Sequence, residues 1–185
     1  MEYNKIIVYH GTDAQYANDI IKNGFECKTN KEHWLGNGIY FYLDYNTAKW
    51  WANTPKVKFG SQIKNPIVIK AKVNSNRNNT FDTRIYDDYM YLLELFEEFF
   101  DKLCKNGKVN NHISIDRLRC MFFDWVYSEF EDIEIFIAGF EKRKECNNSN
   151  DLKYKLKVPY IEYQMCVFNN DLITEKERMN NYEEN

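Results

Sequence analysis

GNGIYFYLDYNTAKWWA, residues 36–52, sets a glycine turn, an aromatic run and two adjacent tryptophans side by side. Residues 39–43 read as a strand, and Asp44 or Asn46 then starts a helix over about 45–53 that stops before Pro55. A helix turns about 100° per residue, so Trp50 and Trp51 point apart and at least one of them packs in the core. Aromatic surface gathered beside a glycine turn has two readings: a core hairpin leading into a packed helix, or a pocket for a flat ring.

The same strand-then-helix grammar precedes this stretch. Residues 5–9, KIIVY, form a β-branched run that delivers His10 and Gly11 at its end. Thr12 and Asp13 offer N-caps to a helix whose Ala14, Ala17, Ile20 and Ile21 share one face, and Gly24 closes it. Residues 25–37 and 54–65 read as loops. Pro66 opens a strand in which Ile67, Ile69, Ala71 and Val73 alternate with Val68, Lys70 and Lys72. Tyr89, Leu92, Leu93, Phe96, Phe99, Phe100 and Leu103 then recur at helical spacing, and a second helix carries Ile115, Leu118, Phe122, Trp125 and Val126. Residues 133–138 and 160–168 read as strands, with a charged, Asn-rich loop at 141–157 between them. The expected class is α+β: a single domain over 1–175 with a helical layer inserted between strands, followed by a polar C-terminal tail at 176–185.

At 185 residues the chain can bury a core without staples. Lys and Arg total 25 against 28 Asp and Glu, a net charge of −3, which gives no global field for nucleic acid. Aromatic residues make up 17% of the chain, enough to exclude a disordered protein. Its cysteines, Cys27, Cys104, Cys120, Cys146 and Cys166, show no CxxC or Cys/His ligand spacing, so reduced thiols in a cytoplasmic protein and no metal are expected. No segment approaches the ~20 apolar residues of a membrane span, and MEYNKIIVYH has no signal-peptide pattern.

The last predicted strand has a period of two. Tyr160, Glu162, Gln164, Cys166 and Phe168 share one face; Ile161, Tyr163, Met165 and Val167 share the other. A carboxylate and a carboxamide pointing together from a largely buried strand are costly unless they are paired or work on a ligand; a solvated edge strand is the other reading.

Taken in order, YHGT at a strand end, a helix and NGF, GNGIYF with a helix after it, and a final strand EYQMCVFNNDLI resemble the ADP-ribosyltransferase fold of the diphtheria-toxin and poly-ADP-ribose polymerase branch. The separations, about 30 residues and then about 120, resemble that family over nearly the whole chain. The resemblance implies a split β-sandwich with NAD in a cleft between two small sheets, and His10, Tyr40 and a third-strand residue as catalytic groups. It also implies that Gly11, Thr12 and Gly38 line the approach to NAD and that Tyr40 and Trp51 flank the nicotinamide ring. At the third position Gln164 stands where the family has its glutamate, with Glu162 two residues earlier on the same face. A carboxamide can orient a ribose hydroxyl but cannot supply a full negative charge to an oxocarbenium-like transition state. Duties divided between Glu162 and Gln164, and transfer of a single ADP-ribose unit, are the implied outcome.

The loop at 141–157 occupies the place where transferases of this fold read their acceptor. Lys142, Arg143, Lys144, Lys153, Lys155 and Lys157, with Tyr154 among them, suit RNA or DNA, although Glu141, Glu145 and Asp151 dilute the patch and a protein acceptor is equally open. The expected function is thus a mono-ADP-ribosyltransferase resembling bacterial intracellular toxins and phage-defence effectors, with a cognate antitoxin as a further partner. Two alternatives share the fold: an NAD-dependent RNA 2′-phosphotransferase, and a module that binds NAD or ADP-ribose without catalysis. His33 and His112 receive no role from the sequence.

Overall fold

The computed structural model describes residues 4–27, 29–54, 63–105, 113–130, 132–141 and 161–179. The chain runs β1 (Asn4–Asp13), α1 (Ala14–Asn23), β2 (Ile39–Tyr42), α2 (Tyr45–Asn53), β3 (Pro66–Ser75), β4 (Thr80–Asp82), α3 (Tyr86–Lys105), α4 (Ile115–Glu129), β5 (Ile135–Glu141) and β6 (Ile161–Val167). A short 3-10 turn at Asn170–Leu172 then leads into β7 (Ile173–Arg178).

Local chemistry explains where the helices start. Asp13 caps α1, its Oδ1 accepting the Gln15 N–H at 3.1 Å while Oδ2 accepts those of Lys64 and Asn65 at 2.7 and 3.2 Å. Asp44 caps α2 in the same way, accepting the N–H and the hydroxyl of Thr47 at 2.8 and 2.9 Å. Ser114 caps α4. At the far end of α1 the Gly24 N–H returns to the Ile20 carbonyl at 3.0 Å.

The strands form one seven-stranded sheet in the order β4-β5-β6-β2-β1-β3-β7, so the α+β class holds. β1 pairs with β3 along its full length, from Asn4 opposite Ser75 to Asp13 opposite Pro66, whereas β1 and β2 register at Tyr9 opposite Tyr42. β2 pairs with β6 from Ile39 opposite Val167 to Tyr42 opposite Gln164. β4 lies parallel to β5. Parallel neighbours need a crossover, and α3 and α4 supply it, which is the inserted helical layer.

Opposed residues of antiparallel strands share a face. One face therefore carries Val8, His10, Phe41, Ile137, Met165 and Val167, and it buries them with Ala17, Ile20 of α1 and Phe25. The other carries Tyr9, Gly11, Tyr40, Tyr42, Ala138, Phe140, Glu162, Gln164 and Cys166. Two separate groups of residues cover this second face. α2 lies over one half, packing Ala48 and Trp51 with Tyr42 and Val68; α3 and α4 lie over the other, packing Leu92, Phe99, Phe122 and Val126 with Phe136 and Cys166.

Two strands depart from the sequence reading. β4 has no counterpart there, and β7 continues the sheet past 160–168, so the domain boundary expected at 175 falls inside a strand. The sequence of β7, ITEKER, offers only Ile173 to the core; the ladder to β3 holds the strand, and Glu175 meets Lys5 and Lys72 while Glu177 meets Lys70 across it. β5 begins at Ile135 rather than 133. Most of the basic loop 141–157, Tyr160, His112 and residues 180–185 lie outside the described residues.

Candidate functional site

Where the two halves of the second sheet face meet, β6 places its polar pair. Gln164 stands between Ala138 of β5 and Tyr42 of β2, and Glu162 stands opposite Phe140. Both side chains are 8% exposed, and Gln164 donates its Nε2–H to Glu162 Oε1 at 2.8 Å. The expectation that these two groups share a buried face is met. A carboxylate withdrawn from water in this way is retained only with partners, and one of them is the amide two residues on.

Aromatic rings border the pair. Tyr42 and Trp51 lie with ring centroids 6.5 Å apart, and Tyr9 meets Tyr45 edge-on at 5.8 Å. Burial raises the Tyr42 hydroxyl far above its ordinary pKa, and the negative charge of Glu162 raises it further, so Tyr42 stays protonated beside the carboxylate. Of the adjacent tryptophans, Trp51 joins this cluster while Trp50 is half exposed. On the β5 side Trp34 lies 4.7 Å from Phe140, with the Arg119 guanidinium over both rings.

Tyr40 has a different setting. Its ring packs with the α3–α4 cluster and lies 5.3 Å from His33. Its hydroxyl accepts the Leu35 N–H at 2.6 Å and donates to the Gly36 carbonyl at 2.9 Å. Burial raises its pKa far above the ordinary range, which keeps the proton it donates. Gly36 has φ +82°, a conformation that suits glycine, and the turn is clamped from α4 as well. Asp124 accepts the Asn37 backbone N–H and side-chain Nδ2–H, both at 2.6 Å. Gly38 lies against β6, where a Cβ would come 2.5 Å from Cys166 Sγ and 2.9 Å from the Val167 carbonyl.

His10 projects to the opposite face, between Phe25 and Phe41 at centroid distances of 5.0 and 5.8 Å. Its Nδ1 lies 2.7 Å from the Tyr40 carbonyl. A carbonyl only accepts, so Nδ1 carries the proton, and this bond ties β1 to β2. Thr12 is buried on the His10 side of β1. Gly11 faces α2, and a Cβ there would meet the Ala48 carbonyl at 2.6 Å.

The structure thus brings together Glu162, Gln164 and Trp51 and adds Tyr42, Tyr9 and Tyr45. The His10 ring and the Tyr40 hydroxyl are engaged elsewhere. Tyr42 carries only a partial signal in the sequence: it is two residues from Tyr40 and so shares its face of the strand, but which residue stands beside Gln164 is set by the β2–β6 register. Tyr9 precedes His10 and takes the alternate face. Among the described residues no group of three or more His, Cys, Asp and Glu side chains is placed to hold a metal ion, and no helix is long and apolar enough to cross a membrane.

No protein-family model matches the chain. The sequence is similar to an uncharacterized protein of Methanocaldococcus jannaschii, 28% identical over 195 residues that cover 96% of this chain and 88% of that protein.

Proposed function

We propose that the chain is a cytoplasmic NAD-dependent mono-ADP-ribosyltransferase acting on a protein or nucleic-acid acceptor, as a toxin or defence effector with a cognate antitoxin. The buried Glu162–Gln164 pair, set beside Tyr42 and Trp51 at the meeting of two sheet halves, is the observation that carries this reading. The ladders support the split-sandwich architecture it requires: β1, β3 and β7 form one group, β2, β6, β5 and β4 the other, and the β1–β2 register at Tyr9–Tyr42 joins them.

In the reaction the bond between ribose C1′ and the nicotinamide nitrogen breaks, and its electron pair neutralises the pyridinium. The acceptor nucleophile bonds to C1′ and gives up its proton. Glu162 supplies the negative charge that the oxocarbenium-like transition state needs and takes that proton. Gln164 holds Glu162 through its amide N–H and keeps its carbonyl oxygen for a ribose hydroxyl. Tyr42 and Trp51 offer ring faces to the nicotinamide. The Cβ-sized space beside Gly11 is filled by the α2 backbone, so the ring is assigned to the Tyr42–Trp51 side.

The neutral Gln164 at the position of the family's glutamate favours a second reading, a module that binds NAD or ADP-ribose without cleaving it. Incubation of the protein with NAD labelled in its adenylate half, followed by separation of lysate protein from nucleic acid, tests the proposal and names the acceptor class. Glu162→Ala should lower nicotinamide release about 10²–10³-fold. Unchanged release in both Glu162→Ala and Tyr42→Ala would end the site assignment, and tight NAD binding without release would establish the second reading.

A further inference from the structure

α3 has two apolar faces. Leu92, Leu95, Phe99 and Leu103 turn into the core, below Asp88, which is buried against Arg77. Roughly a third of a turn round the helix, Tyr86, Tyr89, Met90, Leu93 and Phe100 form a second stripe open to water, with Tyr86 72% and Leu93 42% exposed. Single exposed apolar residues are ordinary; a continuous stripe marks an interaction site. The stripe leads into a cavity of about 280 Å³ between α3 and α4, lined by Leu93, Phe96, Ile115, Leu118 and Phe122 and by Arg119, whose charge is met by Asp116 on its own helix. Ile115 at its mouth is 77% exposed.

Charge selects what this face accepts. Stepping 100° per residue from Leu93 puts Glu97, Asp101, Glu94 and Asp87 in a row along the outer edge of the stripe, and all four are exposed. A row of carboxylates repels nucleic acid and anionic lipid. It also disfavours a second copy docked through the same face, because two such rows would approach each other. α3 has 20 residues, a length of about 30 Å, and a groove between two helices is the shape that a third helix fills.

We propose that the α3–α4 face docks an amphipathic helix of a partner protein, with bulky apolar residues at i, i+3, i+4 and i+7 and Lys or Arg along one edge. The apolar row enters the groove at Leu93 and Phe96, and the basic edge lies over Glu94, Glu97 and Asp101. The site is independent of any chemistry at Glu162.

Two synthetic amphipathic peptides of about 18 residues, long enough to form a stable helix against a surface, serve as probes. They share a Leu stripe and differ only in carrying Lys or Glu along one edge. Titrated against the full chain by fluorescence anisotropy, the Lys peptide should bind at least about tenfold more tightly than the Glu peptide, a difference that shrinks as salt rises. Leu93→Asp and, separately, Phe100→Asp should each weaken it about tenfold, with unchanged circular dichroism and melting. The triple variant Glu94→Lys, Glu97→Lys, Asp101→Lys should reverse the preference. Equal binding of the two peptides, binding of neither at high micromolar concentration, or a triple variant that still prefers Lys would overturn the proposal. So would a sedimenting dimer that Leu93→Asp dissolves, which would make a second copy the occupant.

Discussion

Gln164 donates to Glu162 across 2.8 Å between side chains two residues apart on one face of β6, both shielded from water. Replacing the amide with a second carboxylate turns this bond into a repulsion. Gln164→Glu should cost about 1–3 kcal/mol of stability at pH 8. The pair then titrates with one pKa raised on folding, so the folded chain holds more protons than the unfolded one and stability falls as pH rises. Urea unfolding at pH 5 and pH 8 checks this: the deficit should be smaller at pH 5, and an equal deficit at both would show that the two side chains do not interact.

Gly11 lies under the α2 backbone with no room for a methyl group. Gly11→Ala should therefore push α2 off β1 at a cost of about 1–3 kcal/mol, read as a lower urea midpoint. A variant as stable as the parent would mean that α2 is not seated on β1.

Asp124 accepts two hydrogen bonds from Asn37, and both donors lose their partner in Asp124→Ala. Hydrogen bonds to charged groups contribute about 1.5–3 kcal/mol each, so a loss in that range or above is expected. Faster amide exchange should be confined to the 34–38 turn and α4 if Asp124 acts as its clamp.

Asp13 has its carboxyl held below the ordinary value of 3.8 by the N–H groups of Gln15 and Lys64. A depressed folded-state pKa contributes stability above the unfolded value and loses it as pH falls through the folded one. Asp13→Asn should be less stable than the parent at neutral pH, and the gap should close in strong acid. A gap constant with pH would exclude the carboxylate as its source.

Cys120 is buried, and its thiol is pushed up to about 11 by burial and by Asp124 nearby; burial also raises Cys166 well above an ordinary thiol. Alkylation needs an accessible thiolate. At pH 7.5 iodoacetamide should modify the exposed Cys104 in the native protein and reach Cys120 and Cys166 only in urea, as peptide mass mapping would show.

Local signals were legible because they are short-range. Asp13, Asp44 and Gly24 mark helix ends through bonds to residues at most four away, and the period of two in EYQMCVF sets Glu162 beside Gln164 whatever the fold around them. Tyr42 was missed because its place depends on β2 pairing with a strand at the other end of the sequence. The engagement of Tyr40 depends on how the glycine turn folds back over it. β4 spans only Thr80–Asp82, too short to show periodicity. β7 is charged along most of its length and shows no apolar period; its pairing with β3, the burial of Ile173 and the ion pairs to Lys5, Lys70 and Lys72 depend on strands far away in the sequence.

The pairing of β2 with β6 also governs the order in which the molecule can assemble during synthesis. β1 meets β3 as soon as residue 75 has been made, but the other edge of β2, with its run of aromatic residues, has no strand to accept it until 161–167 emerges. For about two-thirds of translation that edge is an open template for pairing with another chain. The late arrival of β6 thus leaves the β2 edge as the site where pairing between two unfinished chains competes with folding, a hazard that α2, which covers the face of β2 and not its edge, does not remove.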